Sequence, residues 1–290
     1  MREQALRFGT WGSLVGVLTE PDESAAVEGA PAVLFLNAGL LHHVGPHRLH
    51  VNLARRLARA GVRSLRFDLS GIGDSGPRRD RMSRDESLVR ETQEAMDSLA
   101  ASHGIDRFVL FGICTGADQA VRVAIADPRV VGSVLVDGYT YQTSTNYLYF
   151  YLGRFLLPHS WWSVLTLRHP AYARLAPWRR RAPARANATS MPVALRPGIY
   201  VSPPRAEAEA HFGSLADRDC RLCFVFTPSV TYCHAAHFDE MFPSLKKHPA
   251  IRVVFLKHAN HVFTLKANQE ALMNAVEEWV LKTLPGGVYR

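Results

Sequence analysis

The apolar run Phe108-Val109-Leu110-Phe111 passes directly into Gly112-Ile113-Cys114-Thr115-Gly116, and the chain from Thr115 to Ala126 then carries helix-forming residues until Pro128. A short apolar run reads as a buried strand, and proline disfavours a helical residue before it. The chain must therefore pass from strand to helix within a few residues. Glycine on each side of Cys114 leaves room for a turn too sharp for a Cβ. A cysteine at such a turn is either a nucleophile held at a helix mouth or a small buried side chain.

The rest of the chain alternates in the same manner. Leu6-Arg7-Phe8 and Leu14 to Leu18, joined around Gly9 to Gly12, read as an opening antiparallel hairpin. Ala32 to Leu36, Val62 to Phe67, Phe108 to Ile113, Val130 to Val136, Arg221 to Thr227 and Ile251 to Lys257 read as strands. Helices are expected over Pro46 to Ala60, where Leu49, Leu53 and Leu57 recur every four residues, and over Ser83 to Ser102, Thr115 to Ala126 and Lys266 to Thr283. Strands alternating with helices predict an α/β fold with a mainly parallel sheet between helical layers. The alternation lapses from about Tyr139 to Arg218, a stretch rich in Tyr, Trp, Pro and Arg. So long a departure between two strands marks an inserted functional element, here a cap over residues 139–218. Residues 1–138 and 219–290 form the core.

Several function classes recede on composition. At 290 residues and 47% hydrophobic, the chain has ample core material. No stretch reaches the roughly 20 apolar residues that span a bilayer, so no membrane span is expected. The opening MREQALRFGTWGS lacks the apolar core of a signal peptide, and a cytoplasmic location follows as the expectation. The four cysteines, Cys114, Cys220, Cys223 and Cys233, show no disulfide framework. Cys220 and Cys223 have CxxC spacing without a second pair, which reads as packing. The net charge is +8, but no nucleic-acid-binding motif accompanies it, so no nucleic-acid partner is expected. The glycines of "GIGDSG" lack the lysine and spacing of a phosphate loop, which excludes nucleotide binding. Asp68 and Ser75 there read as braces of the sheet end. No His/Cys/Asp cluster shows metal spacing; His42-His43-x3-His47 comes nearest, without a second ligand group. No metal or cofactor is expected.

Strand, Gly-x-Cys-x-Gly and helix together resemble the nucleophile elbow of the α/β-hydrolase superfamily, with Cys for the usual Ser. "RFDLSGIGDSG" is similar to the Asp-x-x-Gly-x-Gly-x-Ser stretch after an early strand of that superfamily. "NAGLLHHVGPHRLHVNLARRLARAG" with "GICTGAD" looks closest to bacterial hydrolases associated with exosortase systems. The resemblance implies an eight-stranded, mainly parallel sheet with an inserted cap.

It also implies partners for Cys114. The superfamily's base follows the last strand, where "FLKHANHVFTLK" offers His258 and His261; His261, just before the final helix, holds the usual place. The loop "TPSVTYCHAAHFDE" lacks an acid where many relatives carry theirs, so Asp137, ending the preceding strand, becomes the third member, with Asp239 and Glu240 as the fallback pair. Asp118, one helical turn past Cys114, reads as a local network residue. An oxyanion hole is implied at the amides of Thr115 and Leu40, with Gly39 giving backbone room and Asn37 tying the loop. For substrate contact, Gly39, Tyr139, Tyr147 and Trp161 are the expected residues; Tyr147, Tyr149, Phe150, Tyr151, Trp161 and Trp162 serve equally as an acyl pocket or as the cap's own core.

Cysteine also bears on the reaction. Exchange between thioesters is nearly balanced in energy, so a thiolate accepts an acyl group from coenzyme A or a carrier protein at little cost. The leading expectation is a thioesterase or acyltransferase working through S-acyl-Cys114, with an acyl thioester as partner. The arginines of Trp178-Arg179-Arg180-Arg181 and Arg185 would then meet its phosphates. Ester or lactone hydrolysis of the dienelactone-hydrolase type is the alternative, and a non-catalytic ligand-binding protein the third reading.

Overall fold

Strands that are apolar on both faces must be covered on both faces, and the computed structural model, which describes residues 1–145, 202–229 and 232–283, is arranged to do that. Eight strands form one sheet among the described residues: β1 (Arg2–Phe8), β2 (Leu14–Glu20), β3 (Ala32–Phe35), β4 (Ser64–Asp68), β5 (Phe108–Ile113), β6 (Val130–Val136), β7 (Arg221–Phe226) and β8 (Ile251–Phe255). Their order is β1-β2-β4-β3-β5-β6-β7-β8. β1 and β2 are an antiparallel hairpin, β2 runs antiparallel to β4, and every pairing from β4 through β8 is parallel.

The helices are α1 (Leu49–Arg59), α2 (Arg84–His103), α3 (Thr115–Ala126), α4 (Arg205–Asp217), the short α5 (His237–Met241) and α6 (Lys266–Thr283). Side chains along β5 alternate between two cores, as the two-residue period of a strand requires. Phe108 and Leu110 face a cluster containing Leu99 of α2, Val121 of α3 and Phe212 of α4. Val109, Phe111 and Ile113 face the opposite cluster, with Leu53 and Leu57 of α1 and Val276 and Trp279 of α6. α2 opens with a capping box between Ser83 and Glu86 and closes at Gly104, which is left-handed at φ 65°. No helix among the described residues is long and apolar enough to cross a membrane.

Two expectations shift. The helix expected from Pro46 begins at Leu49, because Pro46–Arg48 is a 3-10 turn with His47 and Arg48 at φ 49° and 62°. Regular order also resumes before residue 219: α4 lies inside the expected cap. Its Ala208, Phe212, Leu215 and Ala216 are buried, and Phe212 meets Phe224 of β7 edge-to-face at 4.9 Å. That stretch is thus a layer helix of the core. Tyr147, Trp161 and the arginine run lie outside the described residues.

The two glycines flanking Cys114 are required by close approach. A Cβ on Gly112 would lie 2.1 Å from the carbonyl oxygen of Gly116, and one on Gly116 would lie 2.8 Å from that of Asn37. The first glycine lets α3 fold back over β5. The second lets α3 pack against the loop after β3. Gly112→Ala is expected to cost about 1–3 kcal/mol of stability or more, as overpacking does, read as a lowered denaturation midpoint. Gly213→Ala in α4, whose nearest neighbour would be 3.8 Å from the new Cβ, is expected to be neutral or mildly stabilising. Equal midpoints for the two variants would contradict this packing account.

Candidate active site

Parallel strands deliver all their C-terminal ends to one edge of the sheet, where the crevice of an open α/β sheet forms. Ile113 of β5 pairs in register with Val136 of β6, and Val136 with Val225 of β7. Cys114, Asp137 and Thr227 therefore emerge side by side. β3 adds its following loop from beyond β5, and β8 adds the loop carrying His261.

Cys114 occupies a backbone conformation that L side chains rarely adopt, φ 57° and ψ −123°. Strain of this kind costs about 1–3 kcal/mol and persists only where surrounding contacts enforce it. Here the Cys114 amide donates to the carbonyl of Val136 at 2.8 Å, and the Cys114 carbonyl accepts from the amide of Ala117 at 2.9 Å. The half-buried thiol sits immediately before α3, where unpaired helical amides favour an anion.

Asp137 is also forced into positive φ, at 48°. Its Oδ1 accepts from the Thr227 amide at 2.7 Å, and its Oδ2 accepts from the Thr227 hydroxyl at 2.7 Å and from His261 Nδ1 at 2.9 Å. With Nδ1 taken by Asp137, the imidazole's other nitrogen is left for Cys114, whose thiol stands near enough to act on the ring. Asp137 first, and Cys114 second, hold the His261 imidazole well above its ordinary range, up to about 10. The ring is therefore biased toward imidazolium, the form that stabilises a neighbouring thiolate. Its loop is fixed from behind by buried Phe263, whose carbonyl accepts from Gln269 Nε2 at 2.8 Å.

The other candidates sort themselves by their contacts. His258 is exposed, and its carbonyl accepts from Asn268 Nδ2. Asp239 pairs with Lys246 at 3.5 Å, while Glu240 accepts from the Thr143 hydroxyl at 2.8 Å. Neither of these acids is the carboxylate beside His261. Asp118 is buried, its Oδ1 has no hydrogen-bond partner among the described residues, and burial pushes its carboxyl up to about 7. Tyr139, expected to contact substrate, is instead buried with its ring against Phe212. Cys220 and Cys223 are buried, and burial pushes their thiols up to about 11 and about 12. That environment suits inert packing rather than redox work.

The loop after β3 forms a turn closed by the Leu41 amide on the Ala38 carbonyl at 3.1 Å. The Gly39 amide donates to the Thr115 hydroxyl at 2.8 Å, so this side chain ties the turn to α3 and removes Gly39 from the set of open donors. The backbone amides of Thr115 and Leu40 make no hydrogen bond among the described residues. Asn37 fixes the loop's base: its Nδ2 donates to the Leu41 carbonyl and to Asp68 Oδ1, and its Oδ1 accepts from the Leu69 amide, each at 2.9 Å. Asp68 is fully buried and also meets His43 Nδ1 at 2.7 Å. Ser75 donates to the Asp68 carbonyl at 2.6 Å and accepts from the Val15 amide at 2.8 Å. Both residues thus brace the sheet end.

Thr227 is the site residue that sequence reasoning passed over. Its position as the last residue of a strand-like run carries no chemical signature. Only the register of β6 against β7 reveals that it supplies two donors to Asp137.

A mainly parallel eight-stranded sheet between helical layers, with an elbow at the end of its central strand, is the α/β-hydrolase fold, which the similar solved structures share. Residues 29–172 match the family described as serine aminopeptidase, S33. Similar solved structures include an esterase from Pyrococcus furiosus, 15% identical with a TM-score of 0.58, covering 98% of this chain and 92% of that one. Proline iminopeptidase from Mycobacterium smegmatis is 16% identical with a TM-score of 0.53, covering 97% and 98%. The α/β hydrolase GrgF from Penicillium sp. sh18 is 15% identical with a TM-score of 0.55, covering 98% and 99%. No curated protein sequence matches the chain.

The electrostatics of His261 set a pH dependence. A group whose pKa rises on folding adds stability that is complete below its unfolded value, near 6.5, and is lost as pH climbs through the folded value, about 10. An NMR titration should find the His261 ring still charged well above neutrality, and Asp137→Asn should return it toward the ordinary range and flatten this alkaline loss of stability. A ring that titrates near 6.5 in the parent would contradict the hydrogen-bonded arrangement.

Proposed function

We propose that the protein is an acyl-transferring hydrolase in which Cys114 is the nucleophile, His261 the acid and base, and Asp137 the residue that orients and charges the imidazole. The observation that carries this reading is the Asp137–His261 hydrogen bond at the C-terminal edge of the sheet, with the Cys114 thiol beside the same imidazole. The esterase and peptidase relatives support hydrolysis of an acyl bond as the general chemistry. Cysteine at the elbow favours a thioester as the acyl donor, from coenzyme A or a carrier protein. The motifs around Asn37 and Cys114 also favour a place near the exosortase-associated hydrolases.

The steps follow from the contacts. The Cys114 thiolate attacks the acyl carbonyl carbon, and the oxygen takes up the displaced electron pair. The open amides of Thr115 and Leu40 would stabilise that oxyanion; one such donor is worth about 3 kcal/mol in acyl-transfer enzymes. Collapse breaks the bond to the leaving thiolate or alkoxide, which receives the proton of the His261 imidazolium. Water or a second nucleophile then gives its proton to His261 and attacks the acyl-cysteine, and Cys114 departs as thiolate. Asp137 keeps its proton-accepting role confined to holding Nδ1–H.

Ester hydrolysis through the same residues is the second reading, favoured by the esterase neighbour. Incubation with a panel of acyl thioesters and simple esters, followed by intact-mass measurement, distinguishes them. The expected result is an acyl adduct on Cys114, formed faster from thioesters, with turnover reduced about a thousandfold or more in Cys114→Ala. Turnover that survives in Cys114→Ala would overturn the reading. Thr227→Val, which keeps side-chain volume but removes one donor to Asp137, is expected to lower kcat about ten- to a hundredfold through misplacement of the base; an unchanged kcat would remove Thr227 from the machinery.

A further inference from the structure

Beyond β7 the chain contains Cys233-His234-Ala235-Ala236-His237, a segment the hydrolytic chemistry does not use. The sequence alone gave it no metal character. In the fold, Cys233 Sγ and one ring nitrogen from each of His234 and His237 lie within 4.8 Å of one another. We propose that Cys233, His234 and His237 form a binding site for a divalent transition metal of the zinc class, independent of the Cys114 site.

Three observations carry the proposal. The donor set is one thiolate and two imidazoles, the ligand chemistry that favours zinc over calcium or magnesium. The Nδ1 atom of His237 is buried and has no hydrogen-bond partner among the described residues, while the whole residue is 0% exposed. A buried polar atom without a partner is costly, and a metal would satisfy it. The opposite ring atom, Nε2, lies 3.2 Å from the Thr143 hydroxyl, which in turn donates to Glu240 Oε2 at 2.8 Å. That chain places the ring proton on Nε2 and leaves the Nδ1 lone pair for an ion, the outer-shell arrangement typical of metal-bound histidine.

Charge is also compensated. Glu240 Oε1 lies 3.6 Å from His234 Nε2, so a carboxylate stands beside the site, and thiolate plus carboxylate offset a dication. The rings of His234 and His237 stack with centroids 5.2 Å apart. A tetrahedral ion would draw the donor atoms to about 3.5 Å from one another, given zinc–sulfur and zinc–nitrogen bonds of about 2.3 and 2.0 Å. The thiol releases its proton to solvent on coordination. An ion here would tie Cys233 and His234 to the start of α5 and, through His237, to Thr143.

The test uses the full-length chain carrying Cys114→Ala, so that the catalytic thiol contributes nothing to the spectrum. Cobalt(II) titrated into metal-free protein should bind one equivalent, with tetrahedral visible bands and a thiolate charge-transfer band; zinc should displace it. Adding Cys233→Ser should abolish the charge-transfer band, and His234→Gln should weaken binding roughly tenfold or more. Thr143→Val, which breaks the outer chain, should weaken binding about 10- to 100-fold. Circular dichroism establishes that each variant is folded, and His234→Gln serves if Cys233→Ser is not. Failure of the Cys114→Ala protein to bind cobalt or zinc stoichiometrically overturns the proposal. So does a spectrum unaltered by both Cys233→Ser and His234→Gln.

Discussion

The whole arrangement rests on one crossing of the backbone: β5 turns into α3 over Gly112 and Gly116, where a Cβ on the first would strike Gly116 and one on the second would strike Asn37. That crossing fixes Cys114 in a strained conformation, lifts its thiol to the edge of the sheet and points the start of α3 at it. Without it the thiol would be another small buried side chain, like Cys220 or Cys223. The strain is held by hydrogen bonds from the elbow to β6 and into α3. The strongly buried strands on both sides keep those partners in place.

A second layer of constraint lies in the ends of neighbouring strands. Asp137 follows β6 and Thr227 follows β7, and the two meet because the strands are parallel and in register. Thr227 spends both of its donors on the carboxylate, so the acid that meets His261 is held by two further hydrogen bonds. On the other side, Thr115 holds Gly39 through its hydroxyl while its amide stays open. A single residue thus positions the loop after β3 and offers a donor next to Cys114.

Much of this was legible in the chain because a sheet covered on both faces leaves near-continuous apolar runs. Ala32 to Phe35 and Phe108 to Phe111 are such runs, and both are strands. The elbow was legible because its glycines are sterically obligatory. The contact of Asp137 with His261 could be anticipated only through family resemblance, since 124 positions separate them. Thr227 was not legible, because strand register, rather than any local pattern, brings it to Asp137. The helix at Arg205–Asp217 was missed since its buried positions sit in a segment whose Pro, Arg and aromatic content reads as an insertion. The left-handed residues His47 and Arg48 were missed too, because Pro46 is an equally good first residue for a helix.

The central claim is that one thiol is activated by an elbow and an adjacent imidazole. Competitive alkylation by iodoacetamide, with each cysteine quantified by peptide mass spectrometry, tests it most directly. The account predicts that Cys114 is modified first, well ahead of Cys220 and Cys223, and that His261→Ala slows its modification at least about tenfold in a folded protein. A Cys114 that reacts no faster than the buried thiols, or that is indifferent to the loss of His261, would contradict it.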